Sequence, residues 1–97
     1  MPRIPLLALP LLVCLPVMAT AETKLTCGFE GNKTIVTIVN PGGDDVQCNY
    51  ACHYVLEGGS VSLSGSVGVK AGQTRIVDEE TRRSKVTRVR ESSIKCE

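Results

Sequence analysis

From Cys48 to Val69 the chain alternates with a period of two: Cys48, Tyr50, Cys52, Tyr54 and Leu56 fall on one parity, with serines recurring at every second position beyond Gly58-Gly59. Such alternation marks strands with one buried and one wet face, and Gly-Gly between them is a two-residue hairpin signal. Setting Glu57 opposite Ser60 pairs Leu56 with Val61, Tyr54 with Leu63, Cys52 with Gly65, Tyr50 with Val67 and Cys48 with Val69, all on one face. The other face then carries Glu57, Val55, His53, Ala51 and Asn49 against Ser60, Ser62, Ser64, Ser66 and Gly68. A one-residue slip would bury the serines.

The same counting outward from Gly31-Asn32 sets Glu30 against Lys33 and aligns Phe29, Cys27 and Leu25 with Thr34, Val36 and Ile38. Two amphipathic hairpins can hide their apolar faces against each other. Further on, Pro41 to Asp45 reads as a loop, Ala71-Gly72 as a turn, Thr74 to Asp78 as a short strand and Glu79 to Ser84 as a charged loop. Lys85 to Arg90 alternates weakly before a last strand reaching Cys96. There is no internal repeat and no low-complexity linker.

Composition supports this reading. Beyond Ala21 the only Ala and Leu residues are Ala51, Ala71, Leu25, Leu56 and Leu63, against ten Val, four Ile and seven Thr. Branched side chains suit a pleated surface and helix formers are scarce. The expected fold is all-β: a small disulfide-stapled β-sandwich of six or seven short antiparallel strands.

The start of the chain has a different character. Arg3 precedes an apolar run from Ile4 to Met18, and Ala19-Thr20-Ala21 follows. This is the pattern of a secretory signal peptide, too short and too interrupted by Pro5, Pro10 and Pro16 to span a membrane as a helix. Residues 1–21 are therefore expected to be cleaved, leaving 22–97 as one small domain in the periplasm or outside the cell. A lipid-anchored reading through Cys14 fails because Val13 stands where a small residue is wanted.

Four cysteines remain, Cys27, Cys48, Cys52 and Cys96, and an even number in an oxidising compartment reads as two disulfides. Cys48 and Cys52 share a face of one strand about 13 Å apart, beyond the roughly 7 Å limit for a bridge. Two connectivities survive, and the shorter loops favour Cys27 with Cys48 and Cys52 with Cys96 over the alternative. Cys48 to His53 also reads as C-x3-C-H, one residue longer than a c-type haem attachment segment. As a haem or metal carrier it is the runner-up function, weakened because no Met and no second His remain as a further ligand and because His53 points away from Cys52. A C-x3-C redox pair is disfavoured by the same distance.

His53 lies near Ser64 on the polar face, but an open sheet offers no walls, oxyanion donors or placed acid for catalysis. Charge divides unevenly: residues 22–59 hold two basic and five acidic groups, residues 60–97 eight and five. Arg82, Arg83, Lys85, Arg88 and Arg90 concentrate the excess, with Arg88 and Arg90 sharing a face on an alternating strand. They form a possible anion-binding stripe for a glycan or envelope surface, or the protective charges of an edge strand. Nucleic acid is disfavoured because stacking aromatics are scarce. Asp44-Asp45 and Asp78-Glu79-Glu80 lack calcium-loop spacing and read as solvated turns, and Asn32-Lys33-Thr34 matches a glycosylation sequon inside a tight turn. The function expected is that of a small exported protein without catalysis or cofactor, a surface binder or minor envelope component whose partner is an envelope protein or an anionic glycan surface.

Overall fold

The computed structural model describes residues 22–97; the expected leader over 1–21 lies outside them. The described residues form six strands, β1 (Lys24–Glu30), β2 (Lys33–Val39), β3 (Val46–Leu56), β4 (Gly59–Val69), β5 (Thr74–Thr81) and β6 (Val86–Cys96). All pairings are antiparallel, and the strands make two three-stranded sheets of order β1-β2-β5 and β4-β3-β6. Each sheet is thus a sequence-local hairpin joined by one strand from the second half of the chain. Among the described residues, no helix is long and apolar enough to cross a membrane.

The first hairpin has the expected register, with Glu30 opposite Lys33, Cys27 opposite Val36 and Leu25 opposite Ile38. Gly31 adopts φ 64°, the left-handed conformation that the first central position of a tight hairpin turn requires. The second hairpin keeps the expected faces but slides by two residues. Leu56 faces Gly59, so Glu57-Gly58 is the turn, and Tyr54 meets Val61, Cys52 meets Leu63, Tyr50 meets Gly65 and Cys48 meets Val67. A two-residue slide leaves every side chain on its original face, so alternation alone does not separate the two registers. The observed one brings the Tyr50 ring across Gly65, where an added Cβ would lie 3.0 Å from the phenolic oxygen. An aromatic ring over a strand glycine fills the gap that the missing side chain leaves.

In the second half of the chain, β5 runs on to Thr81, so Glu79 and Glu80 belong to a strand rather than to a loop: they face Ile35 and Thr34. Ladder irregularities occur between Val36 and Thr37 on β2 and at two places where β6 meets β3; at each, the facing strand carries an extra residue, Val77 in the first case and Arg90 and Thr87 in the others. Bulges of this kind disturb strict alternation, which is why these strands look weak in sequence.

The interior is thin. Its buried apolar residues are Val36, Ile38, Cys48, Cys52, Tyr54, Val69 and Val86, drawn from both sheets, and Leu25, Tyr50 and Val77 pack against both of the clusters they form. Two disulfides reinforce it: Cys27–Cys52 joins the two sheets and Cys48–Cys96 joins β3 to β6. This is the connectivity that the shorter-loop argument had disfavoured. What decides is position across the ladder: Cys96 lies directly opposite Cys48, with Cα atoms 4.0 Å apart, leaving Cys52 for Cys27 on the facing sheet. For loops of 25 and 48 residues, the chain-entropy account assigns about 3.5 and about 4 kcal/mol.

Among the described residues, Asn40 is the one buried side-chain amide, at 2% exposure. Its Nδ2 donates to the carbonyls of Asp44 and Val69, its Oδ1 accepts from Gly42 N–H, and its own N–H donates to Gln73. It thereby holds the loop after β2 against the ends of β4 and the turn that follows. Removing it leaves those buried groups unpaired, so Asn40→Ala is expected to lower stability by about 1–3 kcal/mol in urea unfolding.

Tyr54 donates from its hydroxyl to the Gly28 carbonyl across the sheets, at 2.9 Å. For both Tyr50 and Tyr54, burial first and the nearby Asp78 carboxylate second push the phenol pKa above its ordinary value near 10. The unfolded chain therefore loses these protons at lower pH than the folded one, and folded-state stability falls as pH rises from about 10 through the raised values. Ultraviolet titration is expected to show both phenols ionising later in the native protein than in denaturant, with the unfolding midpoint dropping over the same range.

Candidate functional site

The outer face of β4-β3-β6 is built from the alternate residues that the core does not use, and their strand register stacks them in rows. Ser60, Val55 and Arg88 make the first row, followed by Ser62, His53 and Glu91, then Ser64, Ala51 and Ser93, then Ser66, Asn49 and Lys95. The face is largely polar, with a row of serines along its β4 edge. Gln47 Nε2 donates to Ser66 Oγ at 3.1 Å across two neighbouring strands.

The second row carries the chemistry. A hydrogen bond of 2.6 Å joins His53 Nδ1 and Ser62 Oγ, and Glu91 Oε1 lies 3.9 Å from His53 Nε2. The two-residue slide brings Ser62, not Ser64, to His53. On the other side of β3, the long-range pairing with β6 supplies an acid that the local sequence does not suggest, Glu91. A serine-histidine-acid relay needs the acid in hydrogen-bond contact with the imidazole and donors aimed at a developing oxyanion. Here 3.9 Å exceeds hydrogen-bond reach, and Ser62 and Glu91 are exposed on an open surface. The row can orient His53 and present a hydroxyl, an imidazole and a carboxylate together to a polar ligand.

His53 projects from the face opposite Cys48 and Cys52, as adjacent strand positions require. Both sulfurs of the C-x3-C-H segment are committed to disulfides with other strands, so it holds no thiol for thioether attachment.

The basic residues separate into two kinds. Arg82 is held: its side chain is 16% exposed, it pairs with Glu80 at 3.1 Å, and its Nε and Nη2 donate to the Oγ1 of the buried Thr34. Arg83, Lys85, Arg88 and Arg90 are exposed, and among the described residues none of them has an ion-pair partner. The loop carrying Arg83 and Lys85 is fixed by three backbone hydrogen bonds, Arg82 N to Asn32 O, Val86 N to Gly31 O and Glu57 N to Lys85 O. This gathers both hairpin turns and the basic loop at one end of the molecule. Arg88 continues from there onto the outer face. Arg90 is the bulged residue with no register partner on β3, so the simple alternation expected for Arg88 and Arg90 is interrupted. The strand itself lies at a sheet edge.

At the opposite end, an open cleft of about 500 Å³ lies among Asp45, Gln47, Lys70, Gln73, Arg75 and Glu97. Much of its polarity is spent internally. Asp45 Oδ1 accepts from Ala71 N–H, Gln73 Oε1 from Lys70 N–H, and Arg75 Nη1 donates to the Gly68 carbonyl. The acidic runs are likewise structural: Asp45 caps a turn, and Glu79 and Glu80 pair with Lys33 and Arg82. The sequon residue Asn32 donates its side-chain amide to the Arg82 carbonyl at 2.8 Å.

No family model matches the chain, and no curated protein or solved structure does. The reactivity of the Ser62 row is open to direct measurement: the native protein is expected to remain unlabelled by a fluorophosphonate probe. Covalent modification mapped to Ser62 would instead establish an activated nucleophile.

Proposed function

We propose that this chain is a small exported protein that works without catalysis, as a surface binder or minor envelope component, and that it meets an anionic glycan or envelope surface through Arg83, Lys85, Arg88 and Arg90. In this reading, residues 1–21 direct it to the periplasm or beyond the cell and are removed. The two sheets close as a disulfide-stapled β-sandwich.

The observation that supports the binding role is the contrast among neighbouring cations. Arg82 is neutralised by Glu80 and largely enclosed against Thr34, while the four cations that follow it in sequence stand exposed with no carboxylate within pairing distance among the described residues. A net formal charge of +1 for the whole chain gives no general attraction to anions, so attraction has to come from local concentration of charge. A loop pinned by backbone hydrogen bonds, carrying Arg83 and Lys85, and the paired strand β6, carrying Arg88 and Arg90, supply that concentration at little cost in ordering when a ligand binds. Contacts of this type weaken with salt over the Debye length, about 10 Å at 0.1 M.

Retention on a heparin column tests the reading. The protein is expected to bind at low salt, and Arg88→Ala combined with Arg90→Ala is expected to elute at clearly lower salt with an unchanged β-type circular dichroism spectrum. Equal retention of the two proteins would remove these residues from the interface.

A further inference from the structure

Four strands lie at sheet edges: β1, β5, β4 and β6. Three of them carry the features that discourage pairing with another chain. β5 and β6 hold several charged residues and carry one and two bulged residues, and β1 is short with Lys24 and Glu30 at its ends. β4 has none of these. Its eleven residues, Gly59 to Val69, contain no charge and no proline, and its ladder with β3 runs without a register shift. A long, regular, uncharged edge is a template for another strand.

The hydrogen-bonding parity of this edge follows from the far side of β3. Gln47 and Glu97 exchange both backbone hydrogen bonds, so odd residues at this end of β3 bond toward β6 and Cys48 bonds toward β4. Val67, opposite Cys48, therefore bonds to β3, and by alternation the N–H and C=O groups of Ser60, Ser62, Ser64 and Ser66 point to the open side. The carbonyl of Gly68, on the same parity, is the one that Arg75 caps. Among the described residues no strand pairs with β4 on that side.

The sequence of β4 is complementary to itself. Turning a second copy antiparallel about Ser64 overlaps all eleven residues. Ser64 then meets its counterpart, Ser62 meets Ser66, Val61 meets Val67, and Leu63 falls opposite Gly65, where the Tyr50 ring already lies. The central pairs keep apolar side chains on the inner face and hydroxyls on the outer face, and the open N–H and C=O groups of Ser62, Ser64 and Ser66 fall opposite one another. We propose that the protein forms a symmetric dimer by β4–β4 edge pairing, which merges two three-stranded sheets into one continuous six-stranded sheet bearing a doubled polar face. The interface is isologous, so it closes on itself and does not propagate.

The test is the mass in solution of the exported protein, by sedimentation velocity across micromolar concentrations. The parent is expected to sediment as a dimer. Ser64 is exposed on the outer face, so Ser64→Lys and Ser64→Glu are each expected to retain the β-type spectrum while placing two like charges side by side across the axis. Each alone is expected to fall to half the parent mass, and an equimolar mixture to regain it. Hydrogen exchange gives a second reading that needs no variant: the amides of Ser62, Ser64 and Ser66 are expected to be protected in concentrated parent protein and to lose that protection on dilution. A parent that is monomeric throughout, one that pairs only with a foreign strand, or a Ser64→Lys variant that dimerises like the parent would overturn the proposal.

Discussion

The Cys27–Cys52 bridge is the constraint on which the two-sheet arrangement rests. Each sheet is only three strands wide, and the buried apolar set comprises seven residues, two of them half-cystines. Domains of this size bury a modest fraction of their surface, and the hydrophobic term alone leaves little margin over conformational entropy. By tying β1 to β3, the bridge holds together the two sheets whose residues Val36, Tyr54 and Val86 pack in one cluster. The Tyr54 hydroxyl on the Gly28 carbonyl adds a polar tie between the same two strands.

β3 is the organising strand of the larger sheet. Its even residues supply Cys48, Tyr50, Cys52 and Tyr54 to the interior, and its odd residues supply Asn49, Ala51 and His53 to the outer face. One strand therefore sets both the core and the polar surface. A one-residue insertion or deletion would exchange the two, which gives the alternation of this segment its structural weight.

Much of this was legible in the sequence, and what was hidden has identifiable causes. The Gly31-Asn32 turn fixed its hairpin because only one register places a glycine at the left-handed position and sets Glu30 against Lys33. The second hairpin was legible in its faces but not in its register, since two-residue slides conserve parity and the deciding contact, Tyr50 over Gly65, is visible only in three dimensions. Disulfide partners were ambiguous because Cys48 and Cys52 share a face, and loop length was a weaker guide than the alignment of Cys48 with Cys96. Glu91 beside His53 was out of reach because it depends on a strand nearly forty residues further along the chain, whose bulges break the alternation. Asn40 preceding Pro41-Gly42 reads as the start of a loop, and nothing in its neighbours signals that its amide is buried and fully used.

The strand order also governs how the molecule can be assembled. Both local hairpins involve only residues up to Val69, and the inter-sheet bridge needs nothing beyond them, since Cys27 and Cys52 lie one in each. The Cys48–Cys96 bridge, by contrast, requires β6 to have docked along β3. The two crosslinks thus differ in what they demand of the chain: one closes within the two hairpins alone, and the other acts as a latch that shuts only on the final strand.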